Sequence, residues 1–181
     1  GLFPGGFGAD ACFARLGHPV VCADNDAEKI AGLGRLEMPF FEPGLEKLVA
    51  AGVRRGLLSF TTSVRDMAAA SEVIFVAVGT PPAPDGRADL SYVRQVTRAV
   101  ADALVDLRKR RKGRIYRLIV EKSTVPVLTG DWVRSTFDTL MPTGVAFDVA
   151  ANPEFLREGN AVEDFFHPDR IVAGVSSRRA E

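Results

Sequence analysis

The chain has 181 residues, 46% of them hydrophobic and 25% charged, with a formal net charge of zero. These values are close to the globular average and suit one α/β domain with a single substantial core. A neutral chain has no global field to draw it to nucleic acid or a membrane surface, no apolar run approaches the roughly 20 residues of a membrane span, no secretory pattern opens it, and its two cysteines give no disulfide framework, so a reducing cytoplasm is the expected setting.

In chain order, a glycine-rich start runs into a helix ending near Gly17. Val20 to Ala23 reads as a short apolar strand, and Asp24 begins a polar turn and a helix to about Gly32. A Pro-rich loop around Pro39 to Gly44 leads to a helix ending near Gly52, and Leu57 to Thr61 reads as a strand. Val73 to Val78 is apolar without alternation, which predicts a strand buried on both faces. A long amphipathic helix follows from Asp89 to about Arg108, then a strand over Ile115 to Val120 and a helix over Val127 to Met141. Val145 to Ala150 and Ile171 to Val175 complete the strands. Strands separated by helices predict a doubly wound, mostly parallel, Rossmann-like sheet with right-handed crossovers.

Ligands in such sheets collect at the carboxyl ends of strands. Asp24, Gly79 with Thr80, Lys122 with Ser123 and Thr124, and Glu154 all follow predicted strands, an arrangement that suits a dinucleotide. Asp24 lies about 20 residues after a glycine-rich turn, where a carboxylate accepts hydrogen bonds from a ribose and repels the extra phosphate of NADP. NAD is therefore the expected cofactor. The structural alternative is an N-cap for the helix from Asp26. Between Ala151 and Arg170, Glu154 and Glu158 flank Phe155, Leu156 and Arg157 directly after an apolar run. That succession reads either as a ligand-reading loop or as a solvated first helical turn, where Glu is favoured by the macrodipole.

Several segments carry a resemblance in their order and spacing. They are Ala-Cys-Phe-Ala-Arg-Leu-Gly-His at 11–18, Val-Val-Cys-Ala-Asp-Asn-Asp at 20–26 and Glu-Pro-Gly-Leu-Glu at 42–46. Val-Ala-Val-Gly-Thr-Pro-Pro at 76–82, Ala-Asp-Leu-Ser-Tyr-Val at 88–93, Lys-Ser-Thr-Val-Pro-Val at 122–127 and the 151–170 stretch follow. Together they resemble the cofactor domain of the UDP-glucose/GDP-mannose dehydrogenase family over nearly the whole chain. The Asn-Pro-Glu-Phe-Leu-Arg-Glu-Gly form followed by Pro-Asp-Arg-Ile-Val is most similar to the branch that acts on UDP-glucose.

The resemblance implies a two-step, four-electron oxidation of the sugar C6 alcohol to a uronic acid. The aldehyde is held by a cysteine as a thiohemiacetal, and the resulting thioester is hydrolysed by water. Carried onto this sequence, Thr124 and Glu158 would orient a water near the nicotinamide, and Glu154 would be the general base of hydrolysis. Glu154, Phe155, Leu156, Arg157 and Glu158 would line the sugar nucleotide. Thr80 would contact NAD. Lys29 matches a lysine near the adenosine phosphates, and reads otherwise as a solvated helix charge. The phosphate-loop fingerprint falls on Gly1, Phe3 and Gly6. Phe3 replaces the glycine that lets backbone approach the pyrophosphate, and the strand that should precede Gly1 is missing, which predicts a gap in the core and a truncated or altered start. Gly6, Gly8 and Ala11 form a rival fingerprint that the 11–26 register argues against.

The same resemblance implies that the central helix, the UDP-binding domain and the catalytic cysteine lie outside this sequence, and that the full-length protein is a homo-oligomer. GDP-mannose or a UDP-N-acetylhexosamine are alternative substrates, and a non-catalytic remnant with impaired NAD binding is the alternative of a different class. Cys12 and Cys22 are expected to pack in the core. The basic run Arg108 to Lys112 is expected to be a solvated helix end, where cations complement the dipole. His18 and His167 have no Cys or His at metal spacing, so no metal is expected.

Overall fold

The structure is a computed structural model that describes residues 4–126, 128–175 and 177–180. In chain order the elements are α1 (Pro4–Leu16), β1 (Val20–Ala23), α2 (Ala27–Gly34), α3 (Leu45–Arg54), β2 (Leu58–Thr61), α4 (Val64–Ala70), β3 (Val73–Val76) and α5 (Ser91–Arg110). They continue with β4 (Ile115–Glu121), α6 (Thr129–Leu140), β5 (Val145–Ala151), α7 (Ala161–Phe166) and β6 (Gly174–Val175). The chain forms two compact units: Gly1–Ser63 with Glu154–Ile171, and Val64–Pro153 with Val172–Glu181.

In the first unit β1 and β2 pair in parallel, from Val20 opposite Leu58 to Ala23 opposite Thr61. Gly17, at φ +102°, stops α1 in the left-handed conformation that closes many helices. Its N–H donates to the Ala14 carbonyl at 3.1 Å, which turns the chain into β1. The core joins Phe7, Ala11 and Ala14 of α1 to Cys22, Leu33, Leu45, Val49 and Leu58. Burying a side chain such as Phe7 or Leu45 contributes about 1.5–3 kcal/mol. At Gly52 a Cβ would meet the Leu58 Cβ at 3.0 Å, so the close approach of α3 to β2 requires the absence of a side chain.

In the second unit the strand order is β3-β4-β5-β6. The first three strands are parallel, and the two-residue β6 pairs antiparallel with the end of β5. The 20-residue α5 buries Val93, Val100, Ala101 and Leu104 and packs against α4 and α6. Arg117 of β4 is buried, and its guanidinium donates at 3.2 Å to the carbonyls of Ala68 and Ala69, which end α4. A buried cation is tolerable there because it meets carbonyl groups that the helix itself leaves unpaired.

The α/β class and the mostly parallel pairing agree with expectation, but the strands fall in two sheets, and among the described residues no strand precedes α1. Gly5, Gly6 and Gly8 lie inside α1, in place of an extended glycine turn. Gly1 and Phe3 lie outside the described residues. The strand expected over 73–78 stops at Val76 and is not buried on both faces: Val73 is 46% exposed, and β3 pairs only with β4 among the described residues. The short helices α4 and α7 went unforeseen because neither is long enough to show a helical period.

Candidate functional site: strand ends and an anchored loop

In the first unit Asp24 follows β1 and is half-buried. Its carboxylate accepts the Asp26 N–H at 2.9 Å. Asp26 is the residue that caps α2, accepting the N–H groups of Glu28 and Lys29 at 3.1 Å each. The cap of α2 is therefore Asp26, and the structural alternative for Asp24 is not realised. Lys29 is exposed and pairs with Asp26 at 3.5 Å, the solvated-charge arrangement. The first turn of α1 holds Gly5 and Gly6 and no acidic side chain. Helix N–H groups with small residues and no carboxylate suit a pyrophosphate. A strand-end Asp and an acid-free helix start together fit a dinucleotide.

The loop after Asn152 is not a helical turn. Residues 152–157 have no regular structure and α7 begins only at Ala161. Glu154 and Leu156 are half-buried, while Phe155, Arg157 and Glu158 are exposed. Asp164 of α7 organises the loop from below. It accepts the Arg157 backbone N–H at 2.9 Å, the guanidinium at 3.0 and 2.6 Å, and the Asn160 side-chain amide at 2.7 Å. The Arg157 guanidinium, and then its backbone N–H, hold the Asp164 carboxyl far below the usual range. Arg170 stacks over the Phe155 ring at 4.7 Å, a cation–π contact. Glu42, in the loop before α3, accepts the N–H groups of Gly159 and Ala161 at 2.8 Å each.

In the second unit the ends of β3 and β4 are laced together. The Val78 N–H donates to the Ser123 hydroxyl at 2.9 Å, and that hydroxyl lies 2.8 Å from the Val78 carbonyl. The Thr80 hydroxyl donates to the Thr124 carbonyl at 2.8 Å. Two residues expected from sequence to serve the cofactor and the water are thus neighbours, and Thr124 is exposed. Glu158 belongs to the other unit. Glu121, just before this turn, is 2% exposed, and neither of its carboxylate oxygens has a hydrogen-bond partner among the described residues. Burial pushes its carboxyl up to about 7.

Sequence reasoning missed Glu42, Glu121 and Asp164. Glu42 lay inside the quoted Glu-Pro-Gly-Leu-Glu segment, but nothing local tied it to residue 159. The cysteines behave as expected. Cys12 and Cys22 are buried free thiols. Burial, and secondarily the Glu42 charge, push Cys12 up to about 12, which leaves no thiolate for nucleophilic work. Among the described residues no group of His, Cys, Asp or Glu could hold a metal, and no helix is long and apolar enough to cross a membrane.

Each unit ends a parallel strand on polar groups, Asp24 in the first and the Ser123 and Thr80 hydroxyls in the second, which suits a nucleotide-cofactor class of βα domain, and comparison gives the family. Residues 5–181 match the model of the UDP-glucose/GDP-mannose dehydrogenase family, NAD binding domain, and the chain belongs to that family. It is 48% identical over 171 residues to a UDP-glucose 6-dehydrogenase of Rhizobium meliloti, a match covering 94% of this chain and 37% of the relative. A UDP-glucose dehydrogenase from the archaeon Pyrobaculum islandicum superposes with a TM-score of 0.91 at 45% identity, over 99% of this chain and 40% of that one. A GDP-mannose dehydrogenase from Pseudomonas aeruginosa superposes with a TM-score of 0.89 at 33% identity, over 99% of this chain and 41% of that one. The chain therefore spans well under half the length of these relatives.

Proposed function

We propose that this chain supplies the NAD-binding part of a UDP-glucose 6-dehydrogenase, which oxidises UDP-glucose to UDP-glucuronate in two hydride transfers. The observation that carries the reading is the 154–158 segment, held as an anchored loop and not spent as a helical turn, in a chain 48% identical to an enzyme of that name. NAD, when bound, supplies the hydride acceptor. Asp24 accepts the adenosine ribose hydroxyls, and the N-terminal turn of α1, with Gly6, receives the pyrophosphate. Thr80 contacts the cofactor. Thr124 and Glu158 orient a water, and Glu154 takes its proton during thioester hydrolysis. Glu154 is half-buried at the end of a strand, within reach of a ligand at the loop. Phe155, Leu156 and Arg157 line the sugar nucleotide with Glu154 and Glu158. The reading extends to a homo-oligomer when full length and to a cytoplasmic setting, the latter supported by two buried free thiols that suit a reducing compartment.

GDP-mannose is the alternative substrate favoured by a specific observation, the fold likeness to the Pseudomonas aeruginosa enzyme. The test replaces the matching segment of the Rhizobium meliloti enzyme with this chain. The hybrid is expected to form NADH from UDP-glucose and not from GDP-mannose, whereas the chain alone forms none. In the hybrid, Glu154→Gln should lower turnover about 10²–10⁴-fold while a burst of NADH and a covalent adduct, read by mass spectrometry, persist. Normal turnover in that variant, or lost binding without adduct, removes Glu154 as the base. A hybrid that binds no NAD by titration supports the remnant reading.

A further inference from the structure

The loop that carries Glu154 to Glu158 is held from a distance. Gly159 turns the chain at φ +80°. The N–H groups of Gly159 and Ala161 lie at the start of α7, where no intrahelical acceptor exists. Asn160, at the cap position, makes no side-chain cap bond, and its amide is turned to Asp164 at 2.7 Å. The missing acceptor is a carboxylate 117 and 119 residues earlier in the chain. Glu42 is only 7% exposed, and each of its oxygens takes one N–H at 2.8 Å. Pro43 and Gly44, which is left-handed at φ +81°, fold its loop back so that the Glu42 carbonyl also receives the Leu45 N–H at 3.2 Å. The side chain is thus fixed at its root by the start of α3 and at its tip by the start of α7.

We propose that Glu42 is a positioning residue for the sugar nucleotide: its carboxylate sets the 154–160 loop in the conformation that presents Glu154 and Glu158. The proposal deepens the dehydrogenase reading and rests on it. Two donors facing two oxygens suit a carboxylate, in which each oxygen is an acceptor. A carboxamide has one acceptor, and its NH2 group faces the second N–H. Glu42→Gln therefore breaks one of the two bonds while keeping size and shape. Glu42→Asp keeps the charge, but one methylene less prevents it from reaching both donors.

Hydrogen exchange of the 181-residue chain reads the clamp directly. Glu42→Gln should speed exchange of the Gly159 and Ala161 amides at least tenfold, and leave the β4 and β5 amides unchanged. In the hybrid enzyme, the same variant should raise KM for UDP-glucose about tenfold or more, with NAD affinity unchanged. Glu42→Asp should fall between it and the native residue, and it stands in if the Gln variant does not fold. Unchanged exchange at Gly159 and Ala161 overturns the clamp. Faster exchange with unaltered KM and kcat for UDP-glucose shows that the clamp is purely structural and overturns the positioning role. A native hybrid inactive on every nucleotide sugar defeats the parent reading and the positioning role with it, while the exchange experiment still decides the clamp.

Discussion

Glu42 and Glu121 are both carboxylates withdrawn from water, one in each unit, and the protein treats them in opposite ways. Glu42 meets two backbone donors and holds a loop. Glu121 meets none, at the end of a central strand. A buried carboxylate with matched donors organises the backbone that supplies them. One without them becomes a weak acid, because burial penalises only the charged form. Burial therefore does not define a carboxylate's role; the count of N–H groups aimed at it does.

The sharpest way to break this contrast is titration. An acid pushed up to about 7 from 4.5 keeps, when folded, a proton that the unfolded chain has lost between those values. The contribution of Glu121 to stability is thus fully present below pH 4.5 and falls as pH rises through 7. The whole drop is about 3 kcal/mol. Glu121→Gln should match the native chain near pH 3.5, where the native carboxyl is protonated in both states, and exceed it by up to that amount at pH 8, in urea unfolding at each pH. Equal pH profiles for both proteins would mean that Glu121 has donors after all.

A second, smaller effect probes the turn beside it. Ser123→Ala removes the hydroxyl that receives the Val78 N–H. Leaving that half-buried group unpaired should cost about 1 kcal/mol, read as a lower urea midpoint. If the midpoint holds, the strand ends are tied by backbone alone.

The smallest effect contrasts the two helix starts. α7 is held by Glu42, whereas α6 begins after Leu128, a leucine at φ +78° that is 71% exposed. A side chain in the left-handed region is strained, and glycine is not. Leu128→Gly should stabilise the chain by about 1 kcal/mol, seen as a higher melting temperature. A lower one would show that the leucine makes contacts worth more than its strain.

Much of the layout was legible because it is local. β1 runs over Val20–Ala23 as its apolar pattern predicts, and α5 lies within two or three residues of expectation. The position of Asp24 after β1 follows from the same pattern. What was not legible depends on partners far along the chain. Nothing near Glu42 announces residues 159 and 161. The strand reading of β4 ended at Val120, since a charged residue resembles a strand terminus, yet Glu121 pairs with both Val76 and Ala151 and is buried. The cap of α2 fell on Asp26 and not Asp24, a choice between two neighbouring acids that only backbone geometry decides.

The Asn152 side-chain amide donates to the Val172 carbonyl at 2.8 Å, across a separation of 20 residues, and Ala151 pairs with Gly174 beyond it. The ends of the excursion that contains the Glu154 loop and α7 are therefore fastened together before its interior is considered. Closing a loop costs entropy that grows only slowly with its length, and here that cost is met by bonds outside the excursion. Its interior can accept insertions, deletions or a sequence borrowed from a relative with little penalty from chain statistics. Chain entropy is therefore not what limits change between Glu154 and Ile171; the limit is set by the two N–H groups, of Gly159 and Ala161, that must still meet the Glu42 carboxylate.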